Sequence, residues 1–260
     1  MTAALCNLSN MTVRYGGRTA LSDVSLNLMA GERLAIVGES GSGKSTFVRA
    51  LAGLLPRGAI CDGQVHWASD QAPRLGRDIG FVFQDASASL NPLLRIGEQV
   101  AEGAKRHLGL TWQAAYDHAQ ALLEQVRIAN APAVMRAYPH QLSGGQRQRV
   151  AIAAAIASRP SILIADEATS ALDTVVQADI VKLLDELVSK NAMTLLFVTH
   201  DIALASNLAD RIAVFKHGHL VEIGPVADVL SKPRSSDTQD LIAGHFDLTS
   251  PPLIAEVATS

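Results

Sequence analysis

The sequence predicts an α/β protein built on a parallel β-sheet, with an antiparallel β region at the N-terminus and an inserted helical subdomain. Short apolar runs bounded by polar residues are typical of parallel strands that are covered on both faces, and they occur at residues 34–37, 162–165 and 195–199. Apolar residues at helical spacing over residues 114–126 and 176–188 predict helices in the intervening segments. Strand and helix therefore alternate along most of the chain.

The first strands are predicted from residues 6–29, where apolar and polar residues alternate around the turn Tyr15-Gly16-Gly17-Arg18. This pattern favours an antiparallel hairpin with one exposed face. The stretch from about residue 86 to residue 159 has helical patterns and no convincing strand. In the predicted helix 176–188, one buried stripe is expected to contain Ala178, Ile180, Val181, Leu184 and Leu187.

These patterns predict one domain over residues 4–246. We expect its core to consist of residues 4–85 and 160–246, and its helical subdomain of residues 86–159. Beyond Pro225 the sequence becomes polar and variable in pattern, and the last residues contain a Pro-Pro pair. We therefore expect residues 247–260 to form a disordered tail.

Composition excludes several classes of protein. The chain has 260 residues, and its 22 Lys+Arg and 25 Asp+Glu give a formal net charge of -3. No global basic field attracts it to nucleic acid. Its cysteines, Cys6 and Cys61, have no metal-ligand spacing, and no segment approaches the roughly 20 apolar residues of a membrane span. Since a secretory leader pattern is also missing, we expect a soluble cytoplasmic protein.

A phosphate-binding loop pattern follows the strand predicted at residues 34–37. The pattern G-x-x-x-x-G-K-[ST] is matched by Gly38-Glu39-Ser40-Gly41-Ser42-Gly43-Lys44-Ser45. Its glycines let backbone N–H groups point at a phosphate, and a helix starting near Lys44 turns its positive dipole end to the same anion. Lys44 is expected to reach the β- and γ-phosphates, and Ser45 offers its hydroxyl to Mg²⁺.

Thr46 is the next polar residue of that helix and is grouped with the nucleotide-binding residues. The alternative is a Gly/Ser-rich turn without a ligand, which the preceding strand and the following helix disfavour. The sequence therefore predicts binding of a nucleoside triphosphate.

Adjacent carboxylates end the strand predicted at residues 162–165. Asp166 is placed to hold Mg²⁺, and Glu167 is expected to point elsewhere because successive strand residues alternate sides. Glu167 can then orient or deprotonate an attacking water. A solvated loop start is the alternative for this pair. Together with Lys44, the pair indicates hydrolysis of the nucleotide.

A further anion site is predicted at Leu142-Ser143-Gly144-Gly145-Gln146, before an Ala- and Ile-rich helix over residues 147–157. Ser143 is a good N-cap, and exposed N–H groups next to glycines can approach a phosphate. A capped helix without a ligand is the alternative explanation.

With these motifs the chain resembles the ATP-binding cassette (ABC) family, the P-loop ATPases of ABC transporters. The resemblance covers residues 7 to about 244 and includes the family signature at residues 142–146. It implies that Gln84 is the Q-loop residue that ligates Mg²⁺, and that residues 170–173 form the D-loop. It also implies that His200 contacts the γ-phosphate and that Tyr15 stacks on adenine.

The residues whose roles come only from the resemblance each have an alternative structural role. Tyr15 can be a hairpin aromatic that packs on the sheet. Gln84 can be an ordinary loop residue. Asp201 can cap a helix over residues 202–208, with His200 as its polar neighbour. His200 ends a predicted parallel strand on the same edge as Lys44 and Asp166, which favours a role in the site.

The resemblance also implies partners. Paired ATPase subunits of this family pack head to tail around ATP and Mg²⁺, so that each signature covers the γ-phosphate of the facing subunit. It further implies contact with two transmembrane permease subunits at the cytoplasmic face of the plasma membrane, and an extracytoplasmic solute-binding protein that acts indirectly. Nucleic acid is not an expected partner. Whether the second ATPase is another copy of this chain stays open.

Residues 83–85, 89–92, 96–99 and 138–141 resemble importers of peptides, nickel and metal chelates, although Ala86 and Ala168 stand where prolines are usual. The short C-terminal segment, residues 237–246, resembles that of nickel-type subunits. The sequence therefore slightly favours nickel or a metal chelate over peptide as the cargo. A cassette ATPase that acts on nucleic acid or ribosomes and a small-molecule kinase are the alternative functions.

A local metal site is a further alternative at His217-Gly218-His219. Because apolar runs flank this segment at residues 212–215 and 220–223, a hairpin turn with exposed histidines is the simpler prediction.

Overall fold

The computed structural model describes residues 4–69, 71–169 and 172–245. Within these residues the strands are β1 (Ala4–Tyr15), β2 (Arg18–Met29), β3 (Arg33–Val37), β4 (Ala59–Trp67), β5 (Ile79–Val82), β6 (Ile162–Asp166), β7 (Thr194–Val198), β8 (Arg211–Lys216) and β9 (His219–Pro225). The helices are α1 (Lys44–Leu51), α2 (Ala86–Ser89), α3 (Ile96–His107), α4 (Trp112–Gln125), α5 (Ala131–Arg136), α6 (Gly144–Ile156), α7 (Thr174–Asn191), α8 (Ile202–Leu208), α9 (Val226–Ser231) and α10 (Ser236–His245). A 3₁₀ turn covers Pro139–Gln141.

The larger sheet has the strand order β5-β6-β7-β3-β8-β9, in which β5 to β8 are parallel and β9 is antiparallel to β8. The smaller sheet is antiparallel and has the order β2-β1-β4. The predicted α/β fold with an antiparallel N-terminal sheet is therefore confirmed. Strand β4 is an addition to the prediction.

The parallel strands are buried on both faces. In β3, Leu34 and Ile36 face one apolar cluster, which includes helix α1 and the smaller sheet, whereas Ala35 and Val37 face another with α8 and α9. This arrangement explains the continuous apolar runs of the sequence, because neither face of such a strand can be polar. Helix α1 packs between the sheets, where the Phe47 ring lies 5.3 Å from the Phe215 ring.

Residues 86–159 are helical as predicted, and no strand interrupts them. Their buried side chains join an apolar cluster with the other face of β6 and β7 and with helix α7. Among the helices of the described residues, none combines the length and the apolar character that crossing a membrane requires.

Several boundaries differ from the sequence-based expectations. Helix α6 begins at Gly144, so the Ser143 cap and the glycines belong to one helix start. Ala178 is exposed and not part of the buried stripe of α7, whose other predicted members are buried. The chain beyond Pro225 continues into α9 and α10 as far as His245. The predicted tail, residues 247–260, lies outside the described residues.

Candidate functional site

A glycine-containing loop joins β3 to α1 at the carboxyl edge of the parallel strands. An added Cβ atom on Gly38 would lie 2.1 Å from the Phe215 carbonyl oxygen, and one on Gly43 would lie 2.9 Å from the Ala20 carbonyl oxygen. Gly41 has open space around it but a φ of +79°, which favours glycine. The loop path therefore depends on glycine for two reasons, close backbone approach and left-handed backbone conformation.

The turn between β8 and β9 packs against this loop. The Gly218 N–H donates to the Ser42 carbonyl at 3.0 Å, and the Gly218 carbonyl accepts from the Ser22 N–H at 2.9 Å. Gly218 is buried, with a φ of +81°, while His217 and His219 beside it are exposed, as the hairpin prediction requires. The loop and strand β2 are thus joined through the backbone of a single turn.

Two polar side chains of the loop, Ser42 and Lys44, are buried. Lys44 is 3% exposed, and its Nζ donates to the carbonyl oxygens of Gly38 and Glu39, each at 2.8 Å. Burial lowers the pKa of Lys44, and the negative charge of Glu167 opposes that shift. The Ser42 Oγ is buried and has no hydrogen-bond partner within the described part of the chain. A phosphate oxygen would satisfy such an atom.

Asp166 ends strand β6 directly beneath the start of α1. Its Oδ1 accepts from the Ser45 hydroxyl at 2.6 Å, and its Oδ2 accepts from the Arg49 guanidinium at 3.2 Å. A hydroxyl and a carboxylate oxygen thus converge at the loop, which is the kind of ligand set that Mg²⁺ prefers. Sequence reasoning missed Arg49, although its position four residues after Ser45 places both on one helix face.

Glu167 leaves the strand in a left-handed conformation, with a φ of +48°. Its Oε1 lies 3.9 Å from the Lys44 Nζ, and its Oε2 accepts from the Gln84 Nε2 at 3.1 Å. The carboxylates of Asp166 and Glu167 therefore have different partners, and strand alternation is not the reason, because β6 ends at Asp166. The positive φ at a non-glycine residue marks stored backbone strain, a common feature of functional sites.

The loop, Gln84 and Glu167 line a cleft of about 310 Å³. The residues that line the cleft are Thr19, Ala20, Ser40, Gly41, Ser42, Gly43, Lys44, Ser45, Thr46, Gln84 and Glu167. All of them except Thr19 and Ala20 of β2 were predicted from the sequence. Gln84 thus joins the site through Glu167. His200 is exposed just after β7, and Asp201 caps α8 as its alternative role predicted. Tyr15 is half-buried and packs at the edge of the apolar cluster around α1.

The Ser143 segment lies outside the lining of this cleft. The Ser143 Oγ accepts from the Gln146 N–H at 3.2 Å, and the Gln146 Oε1 accepts from the Ser143 N–H at 2.9 Å, a reciprocal capping box. Ser143 and Gly144 are exposed. An added Cβ on Gly144 would meet only Leu172 Cδ2, at 3.9 Å. Of the predicted D-loop, Ser170 and Ala171 lie outside the described residues.

The fold and the site together define the class of ATP-binding cassette proteins: a phosphate-binding loop, a strand-end Asp-Glu pair and a parallel sheet with an added antiparallel sheet. Residues 21–170 match the family model described as ABC transporter. Since that match covers more than half of the chain, this protein belongs to the ABC transporter family.

Two curated relatives share much of the sequence. The glutathione import ATP-binding protein GsiA of Salmonella typhimurium is 42% identical over 240 residues, which are 86% of this chain and 38% of that protein. The chain therefore spans well under half of that relative. A putative peptide import ATP-binding protein of Brucella abortus is 41% identical over 261 residues, covering 95% of this chain and 79% of the relative.

Among solved structures, the fold matches a dimeric post-hydrolysis state of the ATP-binding cassette MJ0796 bound to ADP and phosphate. The TM-score is 0.73 at 33% sequence identity, over 85% of this chain and 98% of the other. The family and the fold are thus shown.

Proposed function

We propose that the chain is the ATP-hydrolysing subunit of an ABC importer on the cytoplasmic face of the plasma membrane, with a cargo of the peptide class. The observation that carries the proposal is that Lys44, Ser45 and Glu167 line one cleft, while the buried Asp166 accepts a hydrogen bond from Ser45 at its edge. Binding alone would need only the loop and Lys44. The Glu167 carboxylate beside them adds a group that can activate water.

In this proposal ATP binds with its phosphates in the loop. The backbone N–H groups of residues 38–45 surround the β-phosphate, the Ser42 hydroxyl gains a partner, and Lys44 turns from the carbonyls of Gly38 and Glu39 to the β- and γ-phosphates. Tyr15, at the end of β1, is proposed to stack on adenine.

Ser45 and Asp166 would hold Mg²⁺, and Gln84 is proposed as a further ligand. When bound, the ion supplies positive charge that offsets the charge developing on the γ-phosphate. Glu167 is proposed as the base that takes a proton from the attacking water, because it lies at the cleft next to Lys44 and Gln84. His200 would contact the γ-phosphate from the end of β7, and its exposed position leaves it accessible.

A second cassette is needed to complete the site in this proposal. Ser143 and the N–H groups of the α6 start are capped and exposed, but they do not line the chain's own cleft. Head-to-tail packing would place Ser143, Gly144, Gly145 and Gln146 on the γ-phosphate held by the facing subunit. The dimeric structure reported for the cassette MJ0796 supports the pairing of cassettes.

Gly144→Ala tests the pairing. Since an added Cβ meets only Leu172 Cδ2, at the ordinary distance of 3.9 Å, the variant is expected to fold normally. It should impair ATP-dependent association, measured by analytical ultracentrifugation in a Glu167→Gln background with ATP. The chain is measured alone and mixed with any other ATPase subunit of its transporter. Association equal to that of the Glu167→Gln parent would contradict the proposed role of the α6 start.

An apolar surface beside the cleft is proposed to dock the permease subunits. The exposed Leu75 and Phe83 line a groove between β5, α2 and α6, and Leu93, which is 83% exposed, follows the groove residue Leu90 in sequence. Exposed apolar side chains along a groove are typical of a site of protein contact. Bound to two such permeases, the ATPase would lie at the membrane surface.

Peptide is the favoured cargo because the relatives reported above are named for glutathione or peptide import. Nickel or metal chelates, which the short C-terminal segment favoured, have no support from those names. A cassette acting on nucleic acid or ribosomes is disfavoured by the net charge of -3.

The decisive experiment is uptake into cells or vesicles that contain the whole transporter. Radiolabelled glutathione, a mixture of short peptides and nickel are compared, with Glu167→Gln as the inactive control. We expect peptide-class uptake that the variant abolishes. Uptake of nickel alone would show that the cargo is nickel and not a peptide. ATPase activity without any uptake would argue against an importer.

A further inference from the structure

The carboxylate of Asp166 has partners for each of its oxygens within this chain. Ser45 donates to Oδ1 at 2.6 Å and the Arg49 guanidinium to Oδ2 at 3.2 Å. Asp166 is only 1% exposed, whereas the Arg49 side chain is 43% exposed. Arg49 therefore reaches from the surface to a buried carboxylate that the proposed mechanism assigns to Mg²⁺.

The backbone fixes this geometry from each side. Ser45 and Arg49 lie four residues apart on α1, so the helix presents the hydroxyl and the guanidinium on one face. Asp166 is held by its register with Val198 in the neighbouring strand β7. The ion pair consequently requires no loop movement to form.

A guanidinium in this position has two physical effects. It compensates a buried negative charge, which is costly without a partner. It also adds positive charge next to the carboxylate, and this charge opposes the approach of another cation. The first effect stabilises the protein, while the second raises the concentration at which a divalent cation occupies the site.

We propose that Arg49 is a positioning residue that balances the charge of Asp166 and thereby sets the Mg²⁺ requirement of ATP binding. The proposal rests on the proposed function only in assigning Asp166 as a Mg²⁺ ligand. Arg49 holds Asp166 towards Ser45, and Mg²⁺ shares the carboxylate with the guanidinium. Removal of the positive charge makes that carboxylate a better ligand.

The test is a titration of MgCl₂ in the presence of the ATP analogue AMP-PNP, with nucleotide binding followed by calorimetry. We compare the full chain with Arg49→Gln, Arg49→Lys and Arg57→Gln. Arg57 is an exposed arginine after α1, so its variant has the same change in net charge without the contact to Asp166. Nucleotide binding is measured because hydrolysis would mix the effect of Arg49 with the chemical step.

Arg49→Gln is expected to lower the half-saturating Mg²⁺ concentration by about threefold or more, since the removed charge lies close to the ligand but partly in solvent. Arg57→Gln should match the wild type, and Arg49→Lys should stay within about twofold because it keeps the charge. An unchanged or higher midpoint for Arg49→Gln overturns the proposal. If that variant does not fold, a shift larger than twofold in Arg49→Lys overturns it instead.

Failure of the proposed function would give a different result. The wild-type chain would then bind AMP-PNP without any dependence on Mg²⁺, or would not bind it. A normal Mg²⁺ dependence in the wild type, with identical midpoints in all variants, rejects only the role of Arg49.

Discussion

Gly218→Ala should disturb the phosphate-binding loop from the turn beneath it. The new Cβ would lie 2.8 Å from the Ala20 carbonyl oxygen, and ordinary contact begins at 3.4 Å, so the turn has to move by about 0.6 Å. Such a movement stretches the hydrogen bonds to Ser42 and Ser22, now 3.0 and 2.9 Å, towards 3.5 Å, where little of their strength remains.

The expected loss in the free energy of unfolding follows from these contacts. A left-handed alanine costs about 1–2 kcal/mol, and each weakened backbone hydrogen bond costs about 0.5–1 kcal/mol, which gives about 2–4 kcal/mol in total. If about 1.4 kcal/mol of this comes from the geometry of the loop that binds phosphate, ATP affinity falls about tenfold.

The assay combines urea unfolding with calorimetric ATP binding. Gly109→Ala is the matched control, because Gly109 also has a positive φ, +68°, but no atom within 4 Å of an added Cβ. Gly109→Ala should lose only the stability that a left-handed alanine costs, and it should keep its ATP affinity. If Gly218→Ala loses no more stability than Gly109→Ala and binds ATP as well as the wild type, the turn between β8 and β9 does not support the phosphate-binding loop.

Other substitutions and probes test the remaining assignments. Glu167→Gln should preserve ATP binding and slow turnover by about 10²- to 10⁴-fold, the usual scale for a general base, so an unchanged steady-state rate would remove Glu167 from that role. Lys44→Ala should weaken ATP binding itself because it removes the cation of the loop, and calorimetry showing normal affinity would contradict the loop assignment. With a thiol-alkylating reagent at pH 8, Cys61 should react in the folded protein, although partial burial and Asp62 raise its pKa. Cys6 should react only after unfolding, since it is 1% exposed and burial raises its pKa to about 12, and mass spectrometry showing early labelling of Cys6 would contradict the packing of β1.

The parallel sheet was predictable because each of its central strands is apolar on both faces. Leu34 to Val37 pack into clusters on opposite sides of the sheet, and this leaves a continuous apolar run in the sequence. The phosphate-binding loop was equally visible, since its glycines are needed for the local path of the chain and lie together.

Strand β4 escaped prediction for the opposite reason. Most of its residues are exposed, so neither an apolar run nor a clear alternation marks it, and its pairing with β1 over a distance of about 50 residues in sequence creates it. Helix α10 was missed similarly. Glu222 accepts hydrogen bonds from the N–H groups of Arg234 and Ser235, just before the helix begins. The local sequence does not indicate this contact.

Within the candidate site, sequence identified groups but not their mutual arrangement. The left-handed backbone at Glu167 is set by the hydrogen bond of its N–H to the Val198 carbonyl, at 3.1 Å, in a different strand. The contact of Arg49 with Asp166 joins residues 117 positions apart. Both features arise from tertiary packing, which overrides what neighbouring residues in sequence can indicate.

One apolar cluster joins Val100, Leu123 and Ile152 of the helical region to Leu163 and Phe197 in the parallel sheet. A fragment that contained residues 86–159 alone would expose that shared surface to water and would not be expected to remain folded. By the same reasoning, grafting this region between related ATPases should succeed only when the sheet residues beneath it are transplanted with it.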